Sequence, residues 1–282
     1  MYGFLSINFR GNVYVKVILS RKGFDSANGG LPSPIMPDGT LLSMPIPSDD
    51  DMSYDELNYK GTTYSEILHQ LAPNKSFRHC HVDPDIRENC RVNRIQNWIP
   101  AFGQIGSAQG VLNKAGVEVG DIFLFFGWFR RVELRNGEYH FVHRNKGDFY
   151  DSSDLHIIYG YMQIGEIIRD GTQIAKYVWH PHSMDSRINI SSNTLYAPTE
   201  KLSIIPELNG YGTLDYRTDR VLTMKGQNRA TWNDFSFLLP EHIYGRRKNS
   251  SKGIGVYYGG IWQELVVCES EGLLNWVKSI LR

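Results

Sequence analysis

Cysteine is scarce in this chain. Three among 282 residues is an odd, thin allotment that argues against a disulfide framework and for a reducing compartment. Long apolar runs are lacking too. None approaches the ~20 residues of a membrane-spanning helix, and the N-terminus has no uninterrupted apolar core of the signal-peptide kind, so the expectation is a cytoplasmic protein with no membrane partner. Net charge is absent as well: 30 Lys and Arg balance 30 Asp and Glu. No global field draws a polyanion, and contact with nucleic acid requires a local patch. Neither G-x-x-x-x-G-K-[ST] nor G-x-G-x-x-G occurs, so no fingerprint names a cofactor, and there is no internal repeat, coiled coil or low-complexity tract. What is present, 41% hydrophobic residues with 12% aromatics, is the composition of a folded protein able to bury a large core.

The chemistry begins at residues 15–35, VKVILSRKGFDSANGGLPSPI. Val15, Val17, Ile18 and Leu19 form a short β-branched run that reads as a buried strand. It stops at Ser20, and Arg21, Lys22, Asp25, Ser26, Gly29, Gly30 and Ser33 follow in one loop. Paired glycines let backbone approach a ligand, and NH groups with a guanidinium suit an anionic group such as phosphate. The competing reading is a solvated turn in which Asp25 and Ser26 cap local backbone groups.

Residues 36–60 are rich in Pro, Asp and Ser and read as an irregular segment wrapping the core, with a short strand at 41–45. Thr63 and Glu66 have capping-box spacing before Tyr64, Ile67, Leu68 and Leu71, which predicts a helix over 64–71. His79, Cys80, His81, Asp83 and Asp85 then crowd together. Structural zinc sites bring ligands in spaced pairs and no matching second pair follows, so this stretch is assigned no metal. A turn fixed by Asp83-Pro84, or His81 and Asp83 working as acid or base beside the Ser20 loop, is expected instead. At 102–112, Ser107 is placed to cap a helix that Gly116 ends, with Gln104, Ser107 and Gln109 offering hydrogen bonds to a base edge.

From 119 the pattern turns to β. Residues 122–129 are almost wholly apolar, Asn136-Gly137 is a type I′ hairpin signal, and 156–168 carries Gly160 and Gly165 where a curved sheet would bend. His180 and His182 flank Pro181 and share a direction if that segment is extended; hydrogen bonding is favoured over metal. A strand is expected from 193–196, another over 262–268, and an amphipathic C-terminal helix over 273–281 with Leu274, Val277 and Leu281 inward. The last third is the basic one: Arg217, Arg220, Lys225, Arg229, Arg246, Arg247, Lys248 and Lys252, interleaved with Tyr211, Tyr216, Trp232 and Tyr244. It reads either as a stacking and phosphate surface or as a dispersed solvated face.

The strings SRKGFDSANGGLPSPI, HCHVDPDI, FGQIGSAQGVL, VGDIFLFFGWFR, HIIYGYMQIGEI and HPH, in that order along the chain, resemble the nucleotide modification associated domain 3 family. The resemblance implies company with enzymes that modify bases in DNA, often in phages and mobile elements, and it makes residues 1–14 an N-terminal extension. The strands of 119–168 are also similar to the small barrels of the PUA and EVE group, whose members bind nucleic acids.

The expected fold is α+β and predominantly β: a curved or barrel-like mixed sheet packed against the strand that carries the Ser20 loop, with a few short helices. It spans 15–282 as one domain, or as lobes 15–100 and 101–282. The expected partner is a nucleotide or a modified DNA base, with DNA itself as a further partner. Lys22, Asp25, His81 and Asp83 are the catalytic candidates; Ser20, Arg21, Ser26, Gly29, Gly30, Ser33, Gln104, Ser107, Gln109, His180 and His182 are the binding candidates. A modifying enzyme, a non-catalytic reader of modified nucleic acid and a phage protein sequestering a nucleotide signal all fit. If one function unites these strings, they should line one concave pocket.

Overall fold

The computed structural model describes residues 15–93, 95–144, 147–245, 255–260, 263–268 and 271–282. The extension expected at 1–14, and Arg246, Arg247, Lys248, Lys252 and Trp262, lie outside the described residues.

A nine-stranded mixed sheet organises the molecule. Its strands are β1 (Val17–Arg21), β2 (Ser33–Ile35), β3 (Phe102–Gln104), β4 (Ile122–Arg135), β5 (Glu138–Phe141), β6 (Leu155–Ile168), β7 (Thr194–Pro198), β8 (Tyr211–Thr213) and β9 (Glu264–Val267). The main path runs β9-β1-β4-β6-β7-β3, with β2 and β5 also on β4 and β8 on β6. Among the described strands of this sheet, only the pairings of β1 and β2 with β4 are parallel. Strands from before and after Pro100 therefore share one sheet.

Alternation along the strands decides what each face buries. Val17 and Leu19 join Ile122, Leu124 and Phe126 on one face, against Trp232, Tyr258 and the C-terminal helix α3 (Glu271–Leu281). Ile18, Phe123, Phe125 and Phe129 point the other way, with Phe102, Tyr196 and Leu112. Burial on both faces is why residues 122–126 carry no polar alternation, whereas beyond Gly127 the strand turns partly exposed and its charges appear. The sheet curls strongly into a half-barrel, as expected. Register shifts between Ile158 and Gly160 and between Ile164 and Glu166 bend β6, so that its first part pairs with β4 and its last part with β7.

Helix α1 (Tyr64–Leu71) has the reciprocal Thr63–Glu66 capping box. Helix α2 (Gly106–Lys114) departs from expectation. Its cap is Ile105, with no side-chain cap, because Gly106 at φ +64° already turns the chain into the helix and Ser107 falls within the first turn. In α3 Val277 and Leu281 point inward as expected, joined by Leu273 and Ile280, while the expected Leu274 is only half-buried. The expected strand at 41–45 is replaced by a two-residue pairing of Ile46–Pro47 with Cys80–His81.

The curl has one decisive outcome. β9 and β3 are opposite ends of the pairing path, yet Gln104 Nε2 on β3 donates to Glu264 Oε1 on β9 at 2.7 Å. The seam of the half-barrel is bridged by side chains.

Candidate functional site

Over this seam lies a cleft of about 320 Å³, within the size range of small-ligand sites. Arg21, Lys22, Asp25, His81, Asp83, Gln104, Ser107 and His182 line it, and Asn28 and Arg187 join them. A second cavity beneath Asp85 and Tyr64, about 50 Å³, is too small for a nucleotide.

Lys22 comes off the end of β1, held by its NH to the Phe126 carbonyl at 2.9 Å. Its ammonium is buried, 4.2 Å from the Phe102 ring centre, 3.5 Å from Glu264 Oε1 and 3.9 Å from Asp83 Oδ2. Ser20 Oγ also donates to Glu264 Oε1, at 2.9 Å, while Glu264 Oε2 is buried with no hydrogen-bond partner among the described residues. Burial pushes the Glu264 carboxyl up, against the opposing pull of Lys22, Ser20 and Gln104. Asp83 goes the other way. Burial raises it, but the His180 ring facing it and the Lys22 charge prevail and hold it well below the usual carboxylate range. Two carboxyls on one lysine are thus driven apart in proton affinity.

Three histidines surround Asp83. His180 Nδ1 accepts the His182 NH at 3.2 Å, so its Nε2 carries the proton and faces Asp83 Oδ1 at 3.4 Å; the Gly103 NH donates to the same oxygen at 2.7 Å. His81 Nδ1 lies 2.6 Å from Asp50 Oδ2, and Arg187 Nη1 holds the other Asp50 oxygen at 2.6 Å. Burial raises Asp50, but those two hydrogen bonds outweigh it and bring its carboxyl down to about 2. His182 Nδ1 lies 2.6 Å from Asn193 Oδ1, and Asn193 Nδ2 donates to the His182 carbonyl at 2.9 Å. Burial pushes the His182 imidazolium down to about 3, so this ring is neutral near pH 7.

The remaining candidates either lie outside the cleft or are already engaged within the protein. Residues Pro181–Ser183 form a 3-10 turn capped by His180, not the extended segment expected, and His180 stands behind Asp83 rather than in the cleft. Gln109 is buried on Tyr196 and Asn113, so it reads no base edge. Ser20 serves Glu264, and Ser33 accepts the Met44 NH inside the core. Gly29 and Gly30 take left-handed conformations, and their carbonyls receive Lys75 Nζ. Ser26 meets Arg229 away from the cleft. Asp25 Oδ1 accepts the Ala27 and Asn28 NH groups at 2.8 and 2.7 Å, the local capping that was the competing reading of this loop. Gln104 is bonded at both ends of its amide, to Ile105 NH and Glu264. The basic third forms no stripe among the described residues: Trp232 is wholly buried, Arg220 is buried on two carbonyls, and Arg229 lies over the Trp128 ring.

Glu264, Arg187, Asp50 and Asn193 escaped the sequence reading. Glu264 alone left a trace, a lone acid in the apolar strand ELVV.

A family model described as nucleotide modification associated domain 3 matches residues 16–254. The chain belongs to that family. Membership associates it with nucleotide modification; the match covers every lining residue of the cleft except Gln263 and stops short of Glu264. No curated protein and no solved structure matches the chain. Among the described residues no helix is long and apolar enough to cross a membrane.

Proposed function

We propose that the cleft over the seam binds a nucleotide or a base of DNA and that the protein modifies it. The observation that carries this reading is the convergence of four sequence-distant segments, at Lys22, Asp83, Gln104 and His182, on one polar cleft floored by a lysine between two carboxyls of opposite proton affinity. Buried proton-handling groups of this kind exceed what recognition requires. Arg21, at the cleft wall and only loosely paired with Asp25 at 3.5 Å, is the cation that suits phosphate; Lys22 and Arg187, already engaged, serve the acids instead. Asp25 orders the loop. The cleft draws on residues on both sides of Pro100, which supports reading 15–282 as one domain.

The test is mass spectrometry of nucleosides, nucleotides and plain or modified DNA incubated with the protein. A product is expected, and Glu264→Gln, which keeps the shape, should lower its formation by about 10²–10⁴-fold if Glu264 moves a proton. The reader remains the second reading; saturable binding without product would select it. Neither binding nor product would remove both.

A further inference from the structure

We propose that His81, Asp83 and His182 form a binding site for one divalent first-row transition metal in the wall of this cleft. Their ligand atoms lie within 4.8 Å of one another. The stronger argument is how each ligand is oriented. Asn193 donates through Nδ2 to the His182 carbonyl, which fixes its amide so that Oδ1 accepts; His182 Nδ1 therefore donates to it, and the lone pair sits on Nε2. Asp50 does the same for His81, accepting from Nδ1 while Arg187 anchors the carboxylate. Asp83 Oδ1 is occupied by Gly103 NH and faced by His180, leaving Oδ2 directed at His81 Nε2, 4.0 Å away. Neither His81 Nε2 nor His182 Nε2 has a hydrogen-bond partner among the described residues, and both residues line the cleft.

An imidazole whose distal nitrogen donates to a carboxylate or amide oxygen, with its proximal lone pair free, is the arrangement in which metal-bound histidines are held. Two such rings and a carboxylate on one side of an ion, with the cleft on the other, leave coordination positions open toward a ligand. Ligand atoms about 2.0–2.2 Å from one ion stand roughly 3–3.5 Å apart, a contraction within reach of side-chain rotation. Lys22 retains Glu264 if Asp83 turns to the ion. The sequence could not show this set, because His182 joins only through the 3-10 turn packed against Gly103.

The site stands apart from the nucleotide reading, and its test contains no nucleotide. Chelator-treated protein is titrated with Co²⁺, following visible absorption, and with Zn²⁺ by calorimetry. One equivalent should bind. His81→Ala and His182→Ala should each weaken binding at least about tenfold, Asn193→Ala should weaken it about 10- to 100-fold while removing no ligand, and His69→Ala, at an exposed position on α1, should change nothing. Should a cleft variant misfold, histidine ¹⁵N spectra of the unaltered protein still decide: Co²⁺ must perturb Nε2 of His81 and His182 and spare His69. No saturable metal binding by the unaltered protein, binding indifferent to both histidine replacements, or a spectrum perturbed only at His69 would overturn the proposal.

Discussion

Two buried histidines, His156 and His182, share one electrostatic signature and occupy opposite kinds of place. Burial pushes each imidazolium down to about 3. His156 Nδ1 accepts from Trp232 Nε1 at 3.0 Å, and Phe126, Trp232 and Tyr258 wall its ring edge-to-face. His182 instead stands at a cleft, its Nδ1 on an amide oxygen and its ring 5.5 Å from those of both His81 and His180. A lowered pKa therefore records chiefly desolvation and does not by itself mark a site. What separates the aromatic box from the cleft is whether a lone pair is left facing open space beside other polar groups.

The largest effect that would break this contrast belongs to the box. Trp232→Ala should cost about 3–5 kcal/mol in denaturant unfolding, the range for emptying a large aromatic site, with cleft binding intact wherever the protein remains folded. Loss of binding in the folded variant would mean that the two regions are coupled. On the cleft side, Lys22→Met leaves Asp83 and Glu264 buried without their cation and should cost about 3–5 kcal/mol; adding Glu264→Gln should recover part of it, as a double-mutant cycle would show.

Acid treats the two histidines alike. Their folded values lie below the ~6.5 of an unfolded histidine, so between the two values the unfolded chain binds the extra protons. Stability is then full above about pH 6.5 and lost as pH falls toward 3, by a few kcal/mol per ring at most. Urea midpoints at pH 7 and pH 4 should converge in His156→Gln relative to the unaltered protein. A smaller change sharpens the cleft alone. A Cβ on Gly103 would come within 2.3–2.6 Å of the His182 ring, so Gly103→Ala should displace that ring at a cost of about 1–3 kcal/mol and weaken Co²⁺ binding. Smallest is Arg21→Ala: its 3.5 Å pair with Asp25 is partly exposed and contributes under about 1 kcal/mol, so melting should scarcely move while nucleotide binding falls.

Patterns with a local cause were legible. The Thr63–Glu66 box, the apolar run at 122–126 and the bends at Gly160 and Gly165 follow from caps, burial on both faces and crowding within a few residues. The meeting of the Ser20 loop, His81, Asp83, Gln104 and His182 was legible only as an expectation that strings serving one function converge. Its means, a sheet curled until β3 reaches β9, is a sum of small twists that no single residue announces. Glu264 was passed over because a strand was read from its apolar neighbours, and Asp50 because composition reads 36–60 only as an irregular segment and does not tell buried Asp50 from its exposed neighbours Asp49 and Asp51. Gln109 failed for the converse reason, since an amide beside glycines resembles a reading head until a buried tyrosine is found behind it.

β1 and β2 lie along β4 in the same parallel sense, β1 against residues 122–126 and β2 against 129–131, and the loop between them leaves the sheet only to return to the same rail. Where it departs, Gly127 stands so close to the Lys22 carbonyl that a Cβ would sit 2.8 Å from it, which clamps the exit. Both anchors of the loop are therefore set by one continuous strand. Residues added or removed at its tip, around Asn28, change its reach without shifting the register of either anchor, and lengthening a loop costs little. The fold thus separates anchor from tip: the rail keeps Lys22 in place whatever the length of the loop beyond it.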